Sequence, residues 1–370
     1  MSRMWAIVER ELRRFRRSPF LIVVSMIFPL VQLVILGYAF GGNVKHLKLA
    51  VVDQDHGLPA VKIRELAQAA AAGARTVDLI DYADEGQAVT DLRNGKVNGV
   101  LTIPPEFSRR VLVKNQPRVA LIEDNTDTVV ANALAGNMSS LLLAYNEPPT
   151  AARVPAKAAL DVVEVYPYVP YIQYLLPGSI AMSIFMMVMI GGGIIFIDDK
   201  ARGLHEGYLV TPITKLELIA GFNVSGTIKA VLAGMAIMLV GSLIAGVPSP
   251  FDPLRIVRLF VLIVVTAFAL ISMMFLLMVR ITDPLLPRAI FGVLNTVLYF
   301  PSGAVYPQQG FPGWMQVIAK VDPFTYSVHA FKSLLLKNTG FEAITGDFLY
   351  LLAFSAVTMT AATMLFKRTL

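Results

Sequence analysis

The side chains able to do chemistry in this 370-residue chain are few and scattered. There are no cysteines, which excludes disulfides, thiolate metal sites and cysteine nucleophiles. The four histidines, His46, His56, His205 and His329, have no ligand spacing, which argues against a histidine metal centre. Asp53 and Asp55 follow a strand-like run and have the chemistry to hold a cation. Carboxylates at a strand end more commonly shape a turn, and turn formation is the expectation here. Glu123, Asp124 and Asp127 receive the same reading, with Asp127 or Thr128 expected to cap a helix. Gly95-Lys96 lacks the preceding glycine of a phosphate loop, and neither Gly-x-Ser-x-Gly nor His-Glu-x-x-His occurs. No catalytic constellation converges, and the chain is not expected to hydrolyse ATP or to hold a cofactor or metal.

The elements that would position any site are membrane helices. The chain is 55% hydrophobic and 16% charged, which places it in the membrane class. Phe20–Phe40 is long enough to cross a ~30 Å hydrocarbon core. It ends in Gly-Gly-Asn with no signal-cleavage pattern, so it reads as a retained helix. Five more apolar runs follow after a polar insert, at roughly Tyr174–Ile197, Phe222–Ala245, Ile256–Val279, Leu286–Phe300 and Phe348–Phe366. The fifth span is short and stops at Pro301.

Lysine and arginine set the expected orientation. With the N-terminus inside, Arg3, Arg10, Arg13, Arg14, Arg16, Arg17, Lys200, Arg202, Lys215, Arg280, Arg288, Lys367 and Arg368 flank the inner ends. Only Arg255, Arg258, Lys320, Lys332 and Lys337 lie on short outer segments, thirteen against five. Both termini are therefore expected in the cytoplasm and the insert outside. The net charge of +6 reads as orientation and lipid contact, with no nucleic-acid partner.

Residues 1–19 form an expected interfacial helix, with Met4, Trp5, Val8, Leu12 and Phe15 on one face and arginines on the other. Residues 20–40 are the first membrane helix. Residues 41–172 form an α/β domain, with strands expected at 48–55, 76–81, 97–104 and 118–125 and helices between them. Residues 173–370 carry the remaining five spans. Within the spans, Gln32, Asn295 and Thr296 are candidates for lining a pathway or for bonding between helices. No Asp or Glu lies mid-span, which argues against proton or sodium coupling. Lys229 is expected to snorkel to the inner interface. The glycines of "IGGGII" (190–195) are expected to allow close packing or bending.

The segment "DDKARGLHEGYLVTPITKLELIAG" (198–221) reads as helix, turn, helix, with Thr214 and Glu217 forming a capping-box signature. It resembles the cytoplasmic loop of ABC-2 type transporter permeases. Gly203, Glu206, Leu209, Thr211 and Pro212 fit that pattern after the acidic/basic run containing Asp199 and Arg202. Leu204 and Tyr208 depart from it. "PSGAVYPQQGFPGWMQVIAKVDPFTYSVHAFKSLLL" (301–336) resembles the closing signature of the same family. Asp322, Pro323, Phe324, Thr325 and Tyr326 stand in its places, and Lys332 replaces the usual Arg or Gln. "AVVDQD", "LRNGKVNGVLTIPPEFSRRV" and "IEDNTD" resemble the insert of the drug/lipid-export branch.

The resemblance implies six transmembrane helices of the type V ABC exporter kind, with a small α/β extracytoplasmic domain between the first and second. It implies a permease subunit of an ATP-driven exporter in the bacterial cytoplasmic (inner) membrane, moving a hydrophobic or amphipathic, drug- or lipid-like substrate. ATP and magnesium would bind two copies of a separate ABC ATPase. A second permease copy, identical or a paralogue, would complete the transporter, with membrane lipids and an optional periplasmic adaptor as further partners. Asp199, Arg202, Gly203, Glu206, Thr211 and Pro212 would couple to the ATPase. Pro301, Trp314, Pro323 and Tyr326 would belong to an outer gate built from re-entrant helices at about 301–340, whose broken backbone is tolerable only if buried or facing a cavity. The alternative is a non-transporting receptor or scaffold whose insert binds a ligand or partner.

Overall fold

A computed structural model describes residues 2–40, 46–74, 76–124, 126–146, 168–194, 197, 199, 203, 211, 213–281, 283 and 285–365. The chain divides into two compact units, one comprising Met1–Gly41 with Glu164–Leu370 and the other Gly42–Val163.

The first unit is helical. Helix α1 (Ser2–Arg16) carries Arg13, Arg14 and Arg16 in its last turn, where cations suit the helix dipole. Ser18-Pro19 breaks it, and α2 (Pro19–Phe40) follows. After the second unit come α7 (Tyr171–Val188), a π-helical turn (Met189–Ile194), α8 (Lys215–Ile244), α9 (Pro253–Met278) and α10 (Leu286–Tyr299). The short helices α11 (Gly313–Val321) and α12 (Pro323–Leu335) precede α13 (Thr345–Leu365). Among the described residues, five helices are long and apolar enough to cross a membrane, and α10 is apolar but shorter. At ~1.5 Å per residue its length falls short of a ~30 Å core.

Helix α7 is the axis of this unit and is buried from Leu175 through Val188. Small residues let its neighbours approach, as membrane helices require when lipid tails compete equally for apolar surface. The Ile271 side chain of α9 fits where Cβ atoms on Gly192 and Gly226 would stand, at 2.4 and 2.8 Å from its Cδ1. Gly178 similarly receives Ala304. The glycine run that the sequence assigns to packing is thus the π turn itself, set against α9.

The second unit is a four-stranded sheet in the order β2-β1-β3-β4, with β1 (Leu47–Asp53), β2 (Val77–Tyr82), β3 (Gly99–Ile103) and β4 (Ala120–Glu123). Strand β1 pairs parallel with β2 and β3, and β4 is antiparallel to β3. Helices α3 (Leu58–Ala74), α4 (Glu85–Arg93), α5 (Phe107–Leu112) and α6 (Thr128–Asn146) complete it. Strand alternation supplies both faces. Leu47, Leu49, Leu101 and Ile103 pack with Ile63 of α3 and Leu134 and Met138 of α6. Ala50, Val52 and Val100 pack with Ala88 and Leu92 of α4 on the other face.

Candidate functional site

The two ends of the helical unit concentrate its polar chemistry. At the end where α1 lies, Ile7, Val8, Glu11 and Phe15 share one buried face. Trp5, on the apolar face expected for an interfacial helix, is 58% exposed and takes no part in the packing within the protein. The packed stripe runs through 7, 8, 11 and 15 instead and carries an acid. The Lys229 Nζ donates to Glu11 Oε2 at 3.0 Å and to the Gly191 carbonyl of the π turn at 3.0 Å. Both side chains of the pair are 1% exposed. The expected snorkelling of Lys229 is therefore corrected: α1 covers this end of α8, and Glu11 supplies the counter-charge that water would otherwise provide.

Asp199, fully buried, extends the cluster. It accepts from Arg10 at 3.2 Å and from Arg14 at 2.6 Å, both on α1. Arg10 also reaches Glu11 at 3.4 Å. One short helix thus joins the start of the 198–221 segment, the π turn of α7 and the interior of α8. Gly203 has φ +70°, a left-handed conformation suited to glycine, and Thr211 lies in a turn. Arg202, Glu206 and Pro212 lie outside the described residues. The capping box forms as the residues dictate: Thr214 Oγ1 accepts from the Glu217 amide at 3.2 Å, and Glu217 Oε2 accepts from the Thr214 amide at 2.9 Å.

Of the three span residues singled out from sequence, Gln32 bonds to a neighbouring helix, and among the described residues Asn295 and Thr296 make no such bond. Gln32 of α2 donates to the Tyr299 hydroxyl of α10 at 3.1 Å. Asn295, one turn before Tyr299, has a buried Oδ1 without a hydrogen-bond donor among the described residues. Thr296 is exposed and returns its hydroxyl to the Gly292 carbonyl at 3.2 Å.

At the opposite end, the Asp-Pro-x-Thr-Tyr motif is a hinge between α11 and α12. Asp322 caps α12, accepting from the Phe324 amide at 2.9 Å and the Thr325 hydroxyl at 3.3 Å. Pro323 occupies the first helical position, where its missing N–H costs nothing. The Tyr326 hydroxyl donates back to the Lys320 carbonyl at 2.8 Å, its ring stacks on Tyr350 of α13, and the Tyr350 hydroxyl holds the Val321 carbonyl at 2.8 Å. The motif therefore ties off the last carbonyls of one short helix while starting the next. Pro301 and Pro323 are buried, Tyr326 is half-buried and Trp314 is 65% exposed.

The hairpin encloses a cavity of about 590 Å³, whose lining includes Tyr174, Gln308, Lys320, Tyr326, His329 and Lys332. Gly303, at φ +83°, turns its carbonyl toward two donors, Lys332 Nζ at 2.6 Å and the Tyr174 hydroxyl at 3.3 Å. Lys332 Nζ also lies 3.5 Å from the Tyr174 ring centroid. His329 pairs with Asp347 at 2.7 Å.

In the α/β unit Asp53, Asp55, Asp124 and Asp127 organise loops, as expected, whereas Glu123 ends β4 and its buried Oε2 has no hydrogen-bond partner among the described residues. Asp53 Oδ1 accepts from the amides of Asp55 and His56 at 3.0 Å each, and Asp127 accepts from the Val130 amide at 3.2 Å, capping α6. Burial would raise the Asp55 carboxyl, but the Ser108 hydroxyl and amide and the Gly57 amide outweigh it and hold the group below its ordinary value. Among the described residues, no group of three or more His, Asp or Glu is placed to hold a metal ion.

The sequence reading missed Glu11. Its signal was present as an acid on the apolar stripe of a basic helix, matched by a lone lysine deep in the apolar α8.

The family description "ABC-2 family transporter protein" matches residues 19–364. The chain is 23% identical over 99% of its length, and 98% of the relative's, to the probable multidrug ABC transporter permease YbhR of Escherichia coli K12. It is 26% identical to the inner membrane transport permease YhhJ of the same organism, over 78% of this chain and 77% of that one. It is 22% identical to ABC transporter G family member 20 of Dictyostelium discoideum, over 90% of this chain and 46% of that protein. With the match running from α2 to the end of α13, through both polar ends of the bundle, the chain belongs to the ABC-2 family of transporter proteins.

Proposed function

We propose that this chain is the permease subunit of an ATP-driven exporter that moves a hydrophobic or amphipathic, drug- or lipid-like substrate out of the cytoplasm or inner leaflet. The observation that carries the reading is the family match through residues 19–364, together with full-length similarity to a permease named as multidrug. Six helices cross the membrane, α10 being the short one, and the α/β unit lies outside. Both termini lie in the cytoplasm, which puts α1 and the 198–221 segment where a separate ATPase docks. The chain has no phosphate loop, so ATP and magnesium belong to that partner, present in two copies.

ATP-driven closure of the ATPase pair moves the 198–221 segment. Asp199 passes that displacement to α1 through Arg10 and Arg14, and Glu11 passes it to Lys229 and the π turn. A second permease copy packs beside the apolar faces of α2 and α10, where Ile27, Val31, Ile35, Val293 and Val297 are exposed. Gln32 and Asn295 then stand at the seam that opens.

The test is co-purification with a candidate ATPase subunit, followed by ATP-dependent efflux of a fluorescent amphiphile from proteoliposomes. Glu206→Ala or Pro212→Ala abolishes transport while leaving membrane insertion intact. Full transport by both variants sinks the coupling role. A chain that recruits no ATPase is instead a receptor or scaffold.

A further inference from the structure

We infer that the cavity enclosed by α11, α12 and the 302–309 segment binds the anionic headgroup of an amphiphile, with the Lys332 ammonium as its counter-charge. This rests on the reading that the bundle handles amphiphiles, and it names the headgroup chemistry at the exit. The first observation is a charge imbalance. Among the described residues Lys332 makes no ion pair; it has the Gly303 carbonyl and the face of Tyr174. Neither cancels a full positive charge, and a partly buried ammonium without an anion is costly. Asp347, the carboxylate on the cavity wall, is already matched by His329. Lys320, on the same wall, is exposed and also lacks an ion pair among the described residues. Among the described residues, the cavity lining therefore offers two lysines and no carboxylate other than Asp347, which is hydrogen-bonded to His329.

The second observation is size and lining. About 590 Å³ holds a headgroup rather than a bare ion. Gln309 lines the cavity with its amide, and Gln308 and Gln316, which donate to the Ser302 and Phe311 carbonyls at 3.1 and 2.9 Å, each carry a second amide N–H suited to phosphate, sulfate or carboxylate oxygens. The third is an apolar lip. On α11, Gln316, Ala319 and Lys320 face the cavity, while Trp314, Val317 and Val321 are 62% to 67% exposed along the other side. A polar cavity beside an exposed apolar stripe fits a molecule with an anionic head and an apolar tail.

The chain contains two tryptophans, so Trp5→Phe leaves Trp314, on the apolar face of the helix that lines the cavity, as the sole reporter. The full-length protein in phosphatidylcholine nanodiscs is titrated with dihexanoyl phosphatidic acid, with dihexanoyl phosphatidylcholine and with inorganic phosphate, following Trp314 emission. The anionic lipid gives a saturable change at lower concentration than its zwitterionic counterpart. Lys332→Met weakens it by about tenfold or more, the scale of losing one hydrogen bond to a charged group, and Lys332→Arg retains it. Lys320→Met, an exposed position that leaves folding intact, weakens it by about threefold. Equal affinity for the two lipids, or unchanged binding in both methionine variants, overturns the proposal. Inorganic phosphate binding as tightly as the phosphatidic acid overturns the amphiphile assignment and leaves a free-anion site. The readout needs no ATPase, so failure of the exporter reading would not be mistaken for failure here.

Discussion

The two polar ends of the helical unit solve the same problem in opposite ways. At the α1 end the buried charges are paired: Lys229 with Glu11, and Asp199 with Arg10 and Arg14. At the hairpin end Lys332 is held by a carbonyl and a ring, without an ion pair among the described residues. A saturated cluster is stiff and keeps its elements in register, so it suits the transmission of displacement. An unsaturated one leaves room for a charge that arrives from elsewhere. The contrast assigns mechanics to one end and recognition to the other.

The largest effect that would break this comparison comes from Lys229. Replacing it with methionine leaves the buried Glu11 carboxylate with only Arg10, at 3.4 Å, a loss approaching the ~3–5 kcal/mol of a buried pair deprived of one member. The expected result is a large fall in thermal unfolding temperature and in the yield of folded protein in detergent. Removing both charges, as in Glu11→Leu with Lys229→Met, restores most of that stability, because apolar replacements for buried pairs are often neutral or better. Transport stays impaired in the double variant if the pair carries displacement. A double variant that transports normally would reduce the cluster to a structural staple.

Asp199→Asn sharpens the same end with a smaller cost. Its arginine partners are 33% and 39% exposed, so water takes over much of their solvation and stability falls by about 1 kcal/mol. The expected signature is a split: ATPase activity of the assembled complex persists while substrate efflux falls. Equal loss of both activities would mean that Asp199 serves assembly instead.

What could be read in the sequence follows from how far apart the interacting residues lie. The Thr214–Glu217 capping box, the Asp127 cap and the loop roles of Asp53 and Asp55 depend on neighbours a few positions away, and each is found where the pattern predicts. The central strands of the α/β unit were equally visible, because β1 and β3, buried on both faces, read as short continuous apolar runs between polar stretches. Lys229 was misread because its partner is 218 positions distant, and no local pattern carries that information. Gln32 and Asn295 were legible as polar residues within spans, but their convergence near Tyr299 depended on tertiary packing. That Lys332 has no ion pair among the described residues depends on what surrounds it in three dimensions.

Asp322→Ala tests how rigid the hairpin must be for recognition. It removes the cap of α12, at about 1 kcal/mol, and frees the hinge next to the cavity. The anionic-lipid response of Trp314 broadens and weakens severalfold, while the α1 end keeps its protection from hydrogen exchange. Loss of protection in α1 as well would show that the two ends do not behave as separate regions.

The smallest effect belongs to the α/β unit and supplies the reference for both ends. The Asp55 carboxyl is held below its ordinary value of 3.8 by Ser108 and Gly57, against the opposing influence of burial. A depressed folded-state value means that the carboxylate form is the stabilising one. Its contribution is present above the unfolded value and is lost as pH falls through the folded value. Protection of the Gly57 and Ser108 amides, corrected for intrinsic exchange, should therefore hold from neutral pH to about 4 and decline below it. Asp55→Asn should show reduced protection at neutral pH and little further change on acidification. Because this loop is satisfied by backbone and hydroxyl donors rather than by a counter-ion, its protection should be nearly indifferent to added salt or anionic lipid. The hairpin cavity should respond to both, since its lysines await an anion.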